Sequence, residues 1–471
     1  MNRFVMRRFV TMLFAAGIVG TSTQALASAF QLWEQDGASI GNYHAGYAAE
    51  ANDASIAWYN PAGIPRFQNQ QVVVSAAAIK SNFKYKGSVS VSERTGVFDG
   101  SDITFPMVTY TFNNVTAQGG TSNFVPNLHY VAPISDWIGF GFSVDIPFGL
   151  KTSYGRGTPL RYAGTLSSIE VVDISPSLGF KITDKASLGV GFDIQRAYAE
   201  FDSVAALIDP TLSLDIPPPP REVLTSYDTD STNKANDTGY GFRLGFMYEF
   251  TPCTRVGLSY HSQVVHHFSG SSKFIGPIND IFNNEEPIVS SRTTTNIKLP
   301  PYTTFSAFNK ISPNWAVMAS ASLTQWNTIQ NISLKQIAGL ADTGDIPESS
   351  NNIEINIPHH YRNTWNLSVG TNYYATDTII LRGGLGYDQT PVKNAYRNIQ
   401  LPDGDRYIIA LGGHLQATKT IGLDVGWLHV FANEVKLDPP SQVNGAEVVG
   451  VSGRVNGSGD ILAGQVTWDI I

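Results

Sequence analysis

Two pairs of adjacent histidines, His266/His267 and His359/His360, are of the residue type most used to hold a transition-metal ion. Neighbours on a strand leave opposite faces, however, so neither pair can close on one ion. His261-Ser262 sets an imidazole base beside a hydroxyl nucleophile, yet these side chains also diverge, and no Gly-x-Ser-x-Gly turn is present to expose a serine. Asp403-Gly404-Asp405 has the opening of a calcium loop without its remaining oxygen ligands, and no glycine-rich phosphate cradle occurs. The single cysteine, Cys253, cannot form an internal disulfide and has no His or Cys near it in sequence to activate the thiol. No catalytic residue, metal ion or cofactor is expected, and the chain reads as a non-enzyme.

The elements that carry these residues form a repeating pattern. Short polar turns recur at 133–137, 182–185, 250–254, 311–315, 374–377 and 417–420, each followed by apolar and small or polar residues in alternation. After the first turn, Ile138, Phe140, Phe142, Val144, Ile146 and Phe148 share one expected face, opposite Gly139, Gly141, Ser143 and Asp145. Period two with one apolar and one small or polar face marks a strand between unlike media. Tight turns on one side and long loops rich in Pro, Gly and Asn on the other describe an all-β, transmembrane, antiparallel β-barrel. Fourteen strands are predicted, near 71–87, 124–133, 137–150, 165–182, 185–201, 236–250, 254–269, 293–311, 315–333, 359–374, 378–390, 405–417, 421–436 and 460–471. Trp137 and Trp315, directly after turns, are expected in an aromatic girdle, and Gly139, Gly141, Gly189 and Gly191 on the lumenal side.

Residues 1–27 combine Arg3, Arg7 and Arg8, an apolar stretch and Ala25-Leu26-Ala27, as a secretory signal peptide does. Their removal leaves 444 of 471 residues and takes the formal net charge from −8 to −11, which argues against a nucleic-acid partner. No segment approaches 18 consecutive apolar residues, so no helical span is expected. Residues 28–68 break the strand pattern and read as a compact Gly/Ala-rich plug, or hatch, in the lumen of a barrel formed by 69–471. Two long loops are unusually apolar. One holds Val204 to Ile208, including Leu207 and Ile208, and the other Phe274, Ile275, Ile278, Ile281 and Phe282. Such clusters in water-exposed loops either bind an apolar molecule or pack on each other.

The segment from Phe30 to Gly63, ending Asn60-Pro61-Ala62-Gly63, resembles the N-terminal hatch of the outer-membrane long-chain fatty acid transporter family (OmpP1/FadL/TodX). The resemblance continues in 125–133, Leu299-Pro300, 312–316 and Leu401-Pro-Asp-Gly-Asp-Arg-Tyr407, in the family's order. It implies passive uptake of hydrophobic compounds, long-chain fatty acids first, across a bacterial outer membrane. The implied route runs from capture on the loops (Leu207, Ile208, Phe274, Ile278), through a lumen holding Phe30, Asn60, Pro61 and Ala62, to lateral release at an inward kink of the third strand (Pro147, Phe148, Gly149). Implied partners are the hydrophobic ligand, outer-membrane lipid and lipopolysaccharide, for a monomer. Two features depart from the family. The end of the fifth strand, Tyr198 to Ser203, offers no cation for a carboxylate, and the parity of Arg196 points it outward, which favours a neutral ligand such as a monoaromatic hydrocarbon as the alternative. The chain also ends Trp468-Asp-Ile-Ile471 rather than in an aromatic residue. Readings from other classes are an outer-membrane lipid hydrolase, which needs a Ser/His pair that the spacing does not offer, and a surface adhesin, which leaves residues 28–68 without a role.

Overall fold

The computed structural model describes residues 29–94, 97–99, 102–104, 107–206, 227–343 and 347–470. The expected leader at 1–27, as well as Leu207 and Ile208, lies outside the described residues.

Four of the short turns share one design. In Ile134-Ser-Asp-Trp-Ile138, Ile182-Thr-Asp-Lys-Ala186, Ala375-Thr-Asp-Thr-Ile379 and Ala417-Thr-Lys-Thr-Ile421, the first residue's N–H donates to the fifth residue's carbonyl at 2.9–3.0 Å. The Ser or Thr hydroxyl at the second position accepts the returning N–H of Ile138 at 3.2 Å, Ala186 at 3.0 Å, Ile379 at 3.0 Å and Ile421 at 3.1 Å. A short hydroxyl side chain that bonds its own backbone closes a tight reversal, and the strand pair starts from it.

Fourteen antiparallel strands result. The first is Gln70–Arg94; the second has two parts, Met107–Gln118 and Ser122–Pro133. The third, fourth and fifth are Ile138–Ser153, Leu166–Lys181 and Ala186–Ala205. The sixth is Thr229–Thr251, and the seventh comprises Thr254–His261 and Val264–Ile275. The eighth comprises Ile288–Leu299 and Tyr302–Ser312, the ninth Trp315–Thr324 and Asn331–Ala341, the tenth Glu348–Pro358 and Thr364–Tyr374. Ile379–Asp388, Arg406–Gln416, Ile421–Ala432 and Glu447–Ile470 complete the set, with two short extensions of the thirteenth, Val435–Leu437 and Gln442–Asn444. The first and last strands close the barrel, from Gln70 opposite Ile470 to Glu93 opposite Glu447. Closure leaves neither the first nor the last strand with an edge to face lipid. No described helix is long and apolar enough to cross a membrane.

The two faces separate as the alternation requires. On the fifth strand Leu188, Val190, Phe192 and Ile194 are exposed outward, while Gly189, Gly191, Asp193 and Gln195 are buried inward. Trp137 and Trp315 are exposed beside the turns. Several strands run further than the alternation suggests: the first continues to Arg94, the sixth begins at Thr229 and the last at Glu447. Beyond the predicted ends the ladder still alternates, and Val89 opposite Val451 and Val91 opposite Val449 turn inward into the apolar core.

Candidate functional site: the kinked wall, the inner segment and the outer cavity

The expectation that Ile146 and Phe148 continue the lipid-facing row of the third strand is corrected by the structure. The register to the fourth strand jumps from Asp145 opposite Asp173 to Phe148 opposite Val171. Ile146 and Pro147 thus stand against one residue, Val172. Such a bulge reverses every side chain after it. Phe148 and Leu150 are buried on the lumenal side, and Gly149 takes the outward parity, opposite Glu170.

The bulge has a second consequence. Pairing between the second and third strands runs from Pro133 opposite Gly139 to Leu128 opposite Val144 and ends there. The strands meet again only where Ser153 N–H donates to Gly119 at 3.0 Å. Across the interval the third strand bonds to the inner segment instead: Leu32 N–H donates to Pro147 O and Gly149 N–H to Phe30 O, both at 2.8 Å. Gln35 receives the Ile146 N–H at 3.2 Å and returns its amide to Ile146 O at 2.9 Å. On the other side of the gap, Asn127 donates to Glu34 O at 3.0 Å and the His129 ring bonds Gln35 O at 2.7 Å. Pro147, without an N–H, is the residue that a ladder loses least by releasing.

Phe30 and Phe148 form an aromatic cluster with Trp326: the Phe30 and Trp326 rings meet at 4.9 Å, Phe148 and Trp326 at 6.3 Å, and Phe30 and Phe148 at 6.0 Å. From here one connected apolar surface runs toward the long-loop end through Leu150, Tyr154, Leu160 and Tyr162. The indole N–H of Trp326 is buried with no hydrogen-bond partner on the described residues.

Asn60, Pro61 and Ala62 belong to a turn of the inner segment that packs on the fourth, fifth and sixth strands. Asn60 Oδ1 caps the turn by accepting Ala62 N–H at 3.1 Å, and its amide donates to Ala48 O at 2.7 Å and to Phe246 O of the sixth strand at 3.1 Å. Ser187 of the fifth strand donates to Ala62 O at 2.6 Å. Wall glycines allow this approach: a Cβ on Gly189 would stand 2.3 Å from Ala62 N, and one on Gly245 would stand 2.2 Å from Asn60 Oδ1. Gly412, on the twelfth strand, meets Gly41 in the same way. Asn60→Ala strands the Ala48 and Phe246 carbonyls and the Ala62 N–H. At about 1–3 kcal/mol for each buried group left unpaired, the inner segment should loosen without unfolding the barrel. Faster cleavage of residues 29–66 by protease in detergent, with unchanged heat-modifiable migration, is the expected result; parent-like cleavage would show that Asn60 does not anchor it.

Sequence reasoning missed a polar cluster on the lumenal wall. Arg243, wholly buried, pairs with Asp193 at 2.8 Å, donates to Ala57 O at 3.0 Å and Trp58 O at 2.8 Å, and lies over the Trp58 ring at 4.6 Å. Asp145 and Asp173 face each other nearby. The available signal was charge on the inward parity of apolar strands, where a side chain must meet a partner rather than lipid. Asp403, in the fragment that resembles the opening of a calcium loop, accepts from Thr390 Oγ1 at 2.6 Å and from Ala29 N–H at 3.1 Å, and forms an ion pair with Arg406. His266 bonds Asp237 while His267 bonds Asn296, on opposite faces, and His261 stacks on Tyr302 at 4.2 Å rather than meeting Ser262.

Phe274 and Ile278 are buried at the long-loop end, Ile278 in the one-turn helix Pro277–Phe282. With Leu334, Ile337, Leu340 and Ile353 they wall a small apolar cleft that opens to solvent.

A closed fourteen-stranded barrel with an apolar outer band defines an outer-membrane protein. Residues 18–470 match the family model described as outer membrane protein transport protein (OMPP1/FadL/TodX), and the chain belongs to that family. The chain is 27% identical over 438 residues to the long-chain fatty acid transport protein of Salmonella typhi, covering 91% of this chain and 93% of that one. Among solved structures, a Pseudomonas aeruginosa FadL homologue superposes with a TM-score of 0.77 at 24% identity, covering 94% of this chain and all of that one. The Ralstonia pickettii toluene transporter TbuX gives 0.60 at 15% identity, covering 92% and 99%. At these identities the two structures speak for the fold.

Proposed function

We propose that this barrel takes up hydrophobic compounds passively and releases them sideways into the outer leaflet, with long-chain fatty acids as the first ligand and monoaromatic hydrocarbons as the alternative. The observation that carries this reading is the break in the ladder between the second and third strands, set against the apolar cluster of Phe30, Phe148 and Trp326. A ligand leaving there would never cross the polar surface layer or periplasmic water unaided. Residues 1–27 act as the leader, 28–68 as the plug and 69–471 as a monomeric barrel bedded in lipid and lipopolysaccharide. Residues 30–35 hold the gap shut in the resting state, and Pro147, Phe148 and Gly149 form its rim. Phe274 and Ile278, with Leu207 and Ile208 from the sequence, make the capture site. The relatives named above are transport proteins, which supports transport without catalysis.

The test is uptake by cells that lack their own transporter and express this chain, comparing radiolabelled oleate with toluene. Either label accumulating above the empty-vector control supports the reading; neither doing so, with the barrel at the surface, refutes it. Phe274→Ser with Ile278→Ser should weaken capture by more than about tenfold at low ligand concentration, since each buried side chain of this kind contributes about 1.5–3 kcal/mol. Unchanged uptake would assign both residues to loop packing.

A further inference from the structure

The apolar cavity behind Phe274 and Ile278 has an acidic inner wall. Glu93 and Glu447 stand directly opposite each other where the first and last strands close the barrel, and both line it together with Asp202 and Asn233. No Lys, Arg or His lines it among the described residues. The cations close by have partners: Arg161 donates to Asp228 at 2.7 Å, and Lys234 pairs with Glu200 at 2.8 Å.

One oxygen each of Glu447 (Oε1), Asp202 (Oδ1) and Asn233 (Oδ1) on this wall is buried without a hydrogen bond, although the backbone N–H of Ala206 reaches the Glu447 carboxyl and that of Asn233 the Asp202 carboxyl. Glu447 is 5% exposed and Asn233 7%. Buried acceptors without donors are costly unless something supplies the donor. Burial, and then the neighbouring Glu93 carboxyl, push the Glu447 carboxyl well above the usual range; Asp202 is pushed up to about 7, by burial first and then by Glu200. A ligand carboxylate entering here would be one more negative group in a space that already resists ionisation and offers no counter-charge.

Resting on the reading of this cavity as the capture site, we propose that it takes hydrophobic molecules whose head is uncharged and donates a hydrogen bond, such as an alcohol, a phenol or an unionised acid, and rejects the ionised carboxylate. The apolar walls hold the hydrocarbon and the unpartnered acceptors take the head's proton donor. Ligand form is thereby selected at the first contact, before the lumen is reached.

The test uses the detergent-solubilised full chain at pH 8 and three radiolabelled probes of one chain length: 1-dodecanol, 1-methoxydodecane, which cannot donate, and dodecanoate. Binding at this cavity is the part lost in Phe274→Ser with Ile278→Ser. The alcohol is expected to bind more than about tenfold tighter than dodecanoate, with the ether between them. In Glu93→Gln with Glu447→Gln, which keeps the packing, dodecanoate should gain several-fold while the alcohol changes little. Dodecanoate binding within about threefold of the alcohol in the parent, an ether equal to the alcohol, or a Gln variant that leaves dodecanoate unchanged each overturns the proposal while the capture site stands. If no probe shows a component sensitive to the Phe274 and Ile278 substitutions, the capture reading falls and takes the proposal with it.

Discussion

Removal of residues 28–63 is expected to leave a barrel that still inserts but conducts ions at about ten times the parent level or more in planar bilayers. The first and last strands pair without the segment, from Gln70 to Glu93, so the barrel still closes; the interval between the second and third strands, which residues 30–35 span, is the part of the wall that loses its cover. The lumen also depends on the segment. Eight strands enclose a space that side chains alone can fill, and fourteen enclose considerably more. Here small wall residues make that shortfall worse: Gly189 and Gly245 carry no side chain toward the axis, and the backbone of Ala62 and the side chain of Asn60 occupy the space beside them. Without the segment, Arg243 keeps Asp193 and loses its bonds to Ala57 O and Trp58 O, so the exposed wall is polar and would hydrate. Heat-modifiable migration on an unboiled gel should be retained. A deletion that neither raises conductance nor impairs hydrophobic uptake would show that the segment does not occlude the lumen.

Gly149→Arg is expected to reduce uptake of radiolabelled ligand about tenfold or more at equal surface amounts of protein. Gly149 lies within the stretch where the third strand has left the second, and its N–H is held by Phe30 O at 2.8 Å. Its partner in register on the fourth strand is the half-buried Glu170. An arginine there would reach that carboxylate in a setting drier than bulk water, where a charge-assisted bond is strong. It would then stand at the gap as bulk and charge that an apolar ligand has to displace. Barrel stability should change little, because the third-to-fourth ladder from Phe148 to Ser153 uses backbone groups. Parent-like uptake would exclude an exit here and leave a route through the short-turn mouth. Phe148→Ala makes the opposite comparison: thinning the cluster with Phe30 and Trp326 should preserve or raise uptake, and a loss as large as that of the arginine variant would point to misfolding of the kink.

Strand number, the two faces and the place of the short turns are determined by the sequence alone, because each follows from local chemistry. A hydroxyl at the second position of Ile134-Ser135, Ile182-Thr183, Ala375-Thr376 and Ala417-Thr418 closes its own reversal, and alternation between unlike media needs no knowledge of the partner strand. Proline and glycine at 147 and 149 likewise announce a weak point in the third strand. Which way that point turns was decided only by the tertiary structure. Phe148 is as apolar as lipid requires, and residue type does not reveal that the bulge at Ile146-Pro147 carries it to the lumen beside Phe30 and Trp326. The same holds for Arg243 against Asp193, and for Glu93 against Glu447, which come together through barrel closure across most of the chain. A periodic pattern fixes the medium each face meets; the partner of a buried charge is set by register and closure, which are properties of the assembled sheet.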